Sequence, residues 1–107
     1  MDALKQFLMT APVDPAVGRA VYRIVQEALT NSGRHAPGAV VRVSVERPAG
    51  RVVVRVVNGP ATAAPSASPG GGYGLVGLGE RVRVLDGRLT VGPRLDGGFS
   101  VEAVLPA

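Results

Sequence analysis

The chain has 107 residues, with 12 Lys+Arg against 8 Asp+Glu, 15 Gly, 9 Pro, no Cys and no Trp, a length that accommodates one domain and not two. The missing Cys excludes a disulfide scaffold and a thiolate zinc site; the longest nearly uninterrupted apolar run, Val52 to Val57, is broken by Arg55 and falls far short of the roughly 20 residues of a membrane span. No cationic stretch followed by an apolar one opens the sequence, so the expectation is a soluble, cytoplasmic chain without a secretory signal or direct membrane contact.

Residues 1–9 are expected to form a short helix. Pro12 and Pro15 then punctuate the chain, and a new helix starts near Asp14, with Asp14 as cap and Pro15 at the first helical position. Val17, Val21, Ile24, Val25, Ala28 and Leu29 recur at three- and four-residue steps, one apolar stripe that stops by Ala36-Pro37-Gly38 because the residue before a proline is pushed out of the helical region. Val41, Val43 and Val45 alternate with Arg42, Ser44 and Glu46, the period-two pattern of a strand with one wet face. After a turn at Pro48-Ala49-Gly50, Val52 to Val57 give a second, more buried strand, antiparallel to the first.

Residues 59–72 carry no charge, no large apolar side chain and no periodicity, and so predict a mobile loop, long for a compact domain. Leu75, Leu78, Val82 and Leu85 define a second amphipathic helix, with Gly87 as its C-terminal cap. Arg88–Val91 and Phe99–Leu105 are strands about the turn Asp96-Gly97-Gly98. Two hairpins and two helices in this order predict an α+β fold, a two-layer sandwich with helices on one face of the sheet, in a single domain over residues 1–107.

Three features bear on chemistry. Glu27 and Asn31 lie one helical turn apart at the rim of the apolar stripe, with Arg34 and His35 in the next turn. Such a carboxylate and carboxamide suit Mg²⁺, which keeps several waters and takes few protein ligands beside substrate phosphates; they equally suit an ordinary polar helix edge. Gly70-Gly71-Gly72-Tyr73-Gly74-Leu75-Val76-Gly77 runs into the second helix, as a glycine-rich anion site or as a flexible linker. Asn58-Gly59 ends the second strand, where a turn pair is the simpler reading. The Arg residues are spread without a run of like charge, and neither a basic cluster nor an aromatic platform points to nucleic acid. With one His and no Cys, catalysis internal to the chain has little to work with.

The segment Tyr22-Arg-Ile-Val-Gln-Glu-Ala-Leu-Thr-Asn31-Ser-Gly-Arg34-His35-Ala36, followed by Gly72-Tyr-Gly-Leu-Val-Gly-Leu-Gly-Glu-Arg-Val82 and the ending Gly97-Gly-Phe-Ser-Val-Glu-Ala-Val-Leu-Pro106, resembles the ATP-binding domain of sensor histidine kinases. The nitrate-sensor type is the nearer likeness, within the ATPase superfamily shared with gyrase, the ninety-kilodalton heat-shock chaperone and MutL. The resemblance covers residues 16–106. It implies a two-layer α/β sandwich with a mixed, largely antiparallel sheet, and ATP and Mg²⁺ as ligands. By that resemblance Asn31 ligates Mg²⁺, and Glu27 polarises the attacking group or orders metal-bound water. Arg34 and His35 approach the phosphates, as do the backbone N–H groups around Gly72, Gly74, Leu75 and Gly77. Asn58 and Gly59 lie at the adenine, with residues 59–73 as the ATP lid.

The chain departs from the family pattern in three places: Asn58 stands where Asp is usual, Tyr73 where His is frequent, and Gly79 where Arg is common. The implied partner is a helical dimerisation and phosphoacceptor domain of the same kinase, with a response regulator acting indirectly, and the kinase itself can be anchored in the membrane with this domain at its cytosolic end. Two other readings share the fold, a serine kinase of the anti-sigma-factor type and a degenerate interaction module without catalysis.

Overall fold

The computed structural model describes residues 13–63 and 73–107; the helix expected over residues 1–9 lies outside them. Helix α1 (Pro15–His35) begins as its sequence dictates, with the Asp14 carboxylate accepting the Ala16 N–H at 2.8 Å and Pro15 filling a position that has no N–H to satisfy. One stripe of it is buried, from Val17 through Val21, Ile24, Val25 and Ala28 to Ser32. Ala36 leaves the helical region ahead of Pro37, although its N–H still reaches the Ser32 carbonyl at 2.9 Å.

Strands β1 (Val41–Glu46) and β2 (Arg51–Asn58) pair antiparallel from Val41↔Asn58 to Glu46↔Val53. Their turn closes at Gly50, whose φ of 76° disfavours a side chain, with the Arg51 N–H returning to the Pro48 carbonyl. Helix α2 (Tyr73–Val84) buries Leu75, Leu78 and Val82. Strands β3 (Arg88–Pro93) and β4 (Phe99–Pro106) form the second hairpin, and β4 also pairs with β2, giving the order β1-β2-β4-β3. All three pairings among the described strands are antiparallel, so they account for the antiparallel part of the expected sheet and contain no parallel pair.

The end of α2 corrects one detail of the sequence reading. The left-handed position is taken by Asp86, at φ 62°, not by Gly87. The Asp86 N–H bonds the Arg83 carbonyl at 3.0 Å and the Gly87 N–H the Val82 carbonyl at 2.8 Å, the paired closure of a helix end that puts the left-handed residue one place earlier. Gly87 is required for a different reason: a Cβ there would lie 2.6 Å from the Val104 carbonyl oxygen and 2.9 Å from Val82, so its bare backbone lets the helix end lie directly on β4.

Both helices cover the same face of the sheet. Val21, Ile24 and Val25 of α1 and Val82 of α2 are fully buried with Val52, Val54 and Leu105. The alternate residues of β2 and β4 face away, where Arg55 and Glu102, directly opposed in register, form an ion pair. No described helix is long and apolar enough to cross a membrane.

Candidate functional site

Along the buried stripe of α1 the side chains shrink. Valine and isoleucine, with Ala20 among them, fill it as far as Val25, and only Ala28 and Ser32 continue it, with Asn31 and His35 beside them. Opposite lie Val56 and Asn58 of β2 and Phe99 and Val101 of β4, while Leu75 in the first turn of α2 supplies a third wall. Small residues facing a sheet at fixed separation leave space, here a cleft of about 400 Å³, within the range of small-ligand sites.

Ser32 and Asn58 are the buried polar residues among those described, and both line this cleft. Asn31 adds an unmet demand: its Oδ1 is buried and has no hydrogen-bond partner among the described residues. An orphaned buried acceptor costs about 1–3 kcal/mol, a cost relieved by a ligand that brings a donor or a cation.

Asn58 is fixed from every side. Its backbone pairs with Val41 and with Phe99, and its Nδ2 donates to the Gly59 carbonyl at 2.9 Å. The Asp96-Gly97-Gly98 turn presses against it, with Gly97 at φ 89°, the Gly98 N–H on Asp96 Oδ1 at 2.8 Å and the Arg94 N–H on the Gly98 carbonyl at 2.9 Å. A Cβ on Gly98 would come to 2.0 Å from the Asn58 carbonyl oxygen. The two glycines after Asp96 therefore do separate work, one turning the chain and the other admitting close contact.

The structure brings Asn31, His35, Asn58 and Leu75 to one cleft. Glu27, one turn before Asn31, is half-buried and outside the lining, and Arg34 projects into solvent beside His35. Gly59 follows Asn58 directly and donates its N–H to the Val40 carbonyl at 3.0 Å. Gly72 lies outside the described residues, and Gly74 is in the first turn of α2. Gly77 is exposed, with open space where a Cβ would stand, so packing does not demand glycine there.

Ser32, Ala28, Gly98 and Phe99 also form the site and were not singled out by sequence reasoning. A signal for Ser32 existed: it falls four residues after Ala28 on the apolar stripe, a hydroxyl where the pattern calls for an apolar side chain. No carboxylate lines the described part of the cleft, and the last turn of α1 carries Arg34 and His35, an electrostatic setting suited to an anion. Among the described residues no group of three or more His, Cys, Asp or Glu is placed to hold a metal ion, so a metal here would depend on oxygens brought by a ligand.

The model of the histidine kinase-, DNA gyrase B- and HSP90-like ATPase family matches residues 16–107. The signal transduction histidine-protein kinase/phosphatase DegS of Brevibacillus brevis is 31% identical over 87 residues, 81% of this chain and 22% of that protein. The sensor histidine kinase YxjM of Bacillus subtilis (strain 168) is 32% identical over 93 residues, 86% of this chain and 22% of YxjM; the chain thus spans about a fifth of the length of these curated relatives. Among solved structures, full-length ShkA in complex with AMPPNP superposes with a TM-score of 0.65 at 19% identity, over 83% of this chain and 22% of ShkA. With a family model matching residues 16–107, and the fold shared with ShkA, the chain belongs to the histidine kinase-, gyrase B- and HSP90-like ATPase family.

Proposed function

We propose that this chain is the catalytic domain of a sensor histidine kinase: it binds Mg²⁺-ATP in the cleft between α1 and the sheet and presents the γ-phosphoryl to a histidine on a separate helical dimerisation domain. The observation that carries the reading is the buried, unpartnered Asn31 Oδ1 at a cleft free of described carboxylates. A hard oxygen donor of this kind fits Mg²⁺, which retains waters and takes few protein ligands beside phosphate oxygens. When bound, the ion would neutralise phosphate charge as the transfer proceeds.

The chain's own residues position the nucleotide. Asn58 holds the base, and Asn31 meets the phosphate end. The first turn of α2, reaching the cleft at Leu75, directs free N–H groups and the positive end of its dipole toward anionic oxygens. Arg34 adds positive charge and His35 a ring N–H at the end of α1, and Glu27 orders water or the incoming imidazole. In the transfer, an imidazole nitrogen of the partner domain bonds to the γ-phosphorus as the bond to the β–γ bridging oxygen breaks. ADP leaves with that electron pair, and the imidazole proton passes to solvent. The acceptor comes from outside, because the one His of this chain, His35, lines the nucleotide cleft itself. ShkA, which shares the fold, was solved holding AMPPNP, in keeping with this reading.

The test is thermal unfolding with ATP, with and without Mg²⁺. A ligand that binds only the native state must stabilise it, so ATP with Mg²⁺ raises Tm and EDTA reverses most of the rise. An unchanged Tm at millimolar ATP, together with no heat of binding in calorimetry, refutes the proposal.

A further inference from the structure

We propose that the outer edge of β1 docks a second copy of this chain, the two strands pairing antiparallel about a two-fold axis at Ser44 so that Arg42 of each copy meets Glu46 of the other. No residue of β1 lines the cleft, and the inference does not depend on what the cleft binds.

The register fixes which backbone groups β1 turns outward. The Gly59 N–H bonds the Val40 carbonyl at 3.0 Å, and in an antiparallel ladder hydrogen-bonded pairs alternate with unbonded ones. Continuing from Val41↔Asn58, Arg42, Ser44 and Glu46 bond β2, and the N–H and C=O groups of Val41, Val43 and Val45 point away from it. No described strand lies beyond β1. The other outer strand is a poorer template. There the Arg94 N–H bonds the Gly98 carbonyl at 2.9 Å, so by the same alternation Leu89, Val91 and Pro93 face outward, and Pro93 has no N–H to give.

The side chains select the partner and its alignment. Arg42, Ser44 and Glu46 are exposed on the face away from the helices, and neither Arg42 nor Glu46 has an ion-pair partner among the described residues. About 13 Å apart on an extended strand, they cannot reach each other. Charges on an outer strand ordinarily keep other strands from adding, yet these two are opposite in sign and evenly placed about Ser44. A copy running the other way, Ser44 on Ser44, sets Arg42 against Glu46 twice; a parallel copy in register sets like on like. The antiparallel alignment also puts Val43 opposite the copy's Val45, and each such pair exchanges two backbone hydrogen bonds. On the helix face it covers Val43, which is 42% exposed although Val41 and Val45 on either side pack on the core. Both helix layers, and both clefts, then lie on the same side of one continuous sheet.

The chain has no Cys, so a single introduced thiol reports the contact. Ser44→Cys falls on the two-fold axis at an unbonded position, where opposed Cα atoms stand about 4.5 Å apart, within disulfide range. Under mild oxidation it is expected to cross-link at least about tenfold faster than Thr90→Cys, also exposed but on β3, because pairing brings the thiols together beforehand. Sedimentation equilibrium over a concentration series tests the charges without a cross-link. Arg42→Glu and Glu46→Arg each set like charges together twice and are expected to weaken self-association at least about tenfold. An equimolar mixture of these two variants is expected to associate within about threefold of the unaltered chain, since one then carries two acids and the other two bases at the paired positions. Tm is measured for each variant; should a charge variant fail to fold, the comparison of Ser44→Cys with Thr90→Cys decides alone. Equal cross-linking at the two sites, self-association that neither charge variant weakens, or a mixture no better associated than its components overturns the proposal. An unaltered chain that stays monomeric at every concentration also overturns it and leaves the edge to a different chain.

Discussion

The two halves of α1 present the same face to the same sheet and do opposite things with it. In the first half Val17, Val21, Ile24 and Val25 close onto Val52, Val54 and Leu105, and no polar side chain interrupts the core. In the second half Ala28, Asn31, Ser32 and His35 stand over Val56, Asn58 and Val101 with a cleft between them. Helix and strands run on without a break; only side-chain volume and polarity change. A cleft arises here by letting a core stay unfinished, and the stability that completing it would contribute is left for any ligand that fills it to recover.

The contrast is broken most severely from the packed half. Ile24→Ala, at a fully buried position, is expected to cost about 2–5 kcal/mol, read as a fall in Tm or in urea midpoint, while the folded fraction at low temperature still binds ATP as before. Gly98→Ala comes next. Its Cβ collides with the Asn58 carbonyl oxygen, and the rearrangement is expected to cost about 1–3 kcal/mol and, unlike Ile24→Ala, to weaken nucleotide binding in the molecules that remain folded.

Ala28→Leu sharpens the comparison in the other direction, because it extends the packed half into the cleft. Tm without ligand is expected to shift by less than about 1.5 kcal/mol equivalent, while ATP binding falls at least about tenfold. Asn31→Ala removes the orphaned acceptor, so the unliganded domain should be as stable as before or more so, and the Mg²⁺ dependence of ATP binding should disappear; a lower Tm without nucleotide would show that Asn31 serves the fold. The smallest effect belongs to the far face. Arg55 and Glu102 are paired but well exposed, at 48% and 36% of their side chains, and a double-mutant cycle is expected to give about 0.2–1 kcal/mol, shrinking with added salt and without effect on nucleotide.

What could be read from the sequence was local or periodic. Asp14-Pro15 announces the start of α1 and Ala36-Pro37 its end; Val52-Val53-Val54 with Arg55 announces a strand whose two faces differ. Asn31, Asn58 and Leu75 converge because each ends or begins an element packed on the same sheet, and motifs in the right order placed them together. The pairing of β2 with β4 was not legible, since it joins residues some 50 apart and no turn chemistry encodes it. Nor was the role of Gly87, where a Cβ is excluded by the Val104 carbonyl rather than by its own backbone angle. Ser32 escaped notice because a serine beside Asn31 reads as helix edge until the sheet opposite is known. Glu27 has the spacing to accompany Asn31, yet its side chain falls outside the cleft lining.

Asn58 is the last residue of β2, a strand flanked on both sides, whereas β1 and β3 are the outer strands among those described. Interior strands open only when a domain comes apart as a whole, while margins fray at little cost. The end of the cleft at Asn58 is therefore expected to hold its shape through every partial opening, with amide exchange at Val56 and Asn58 among the slowest in the molecule.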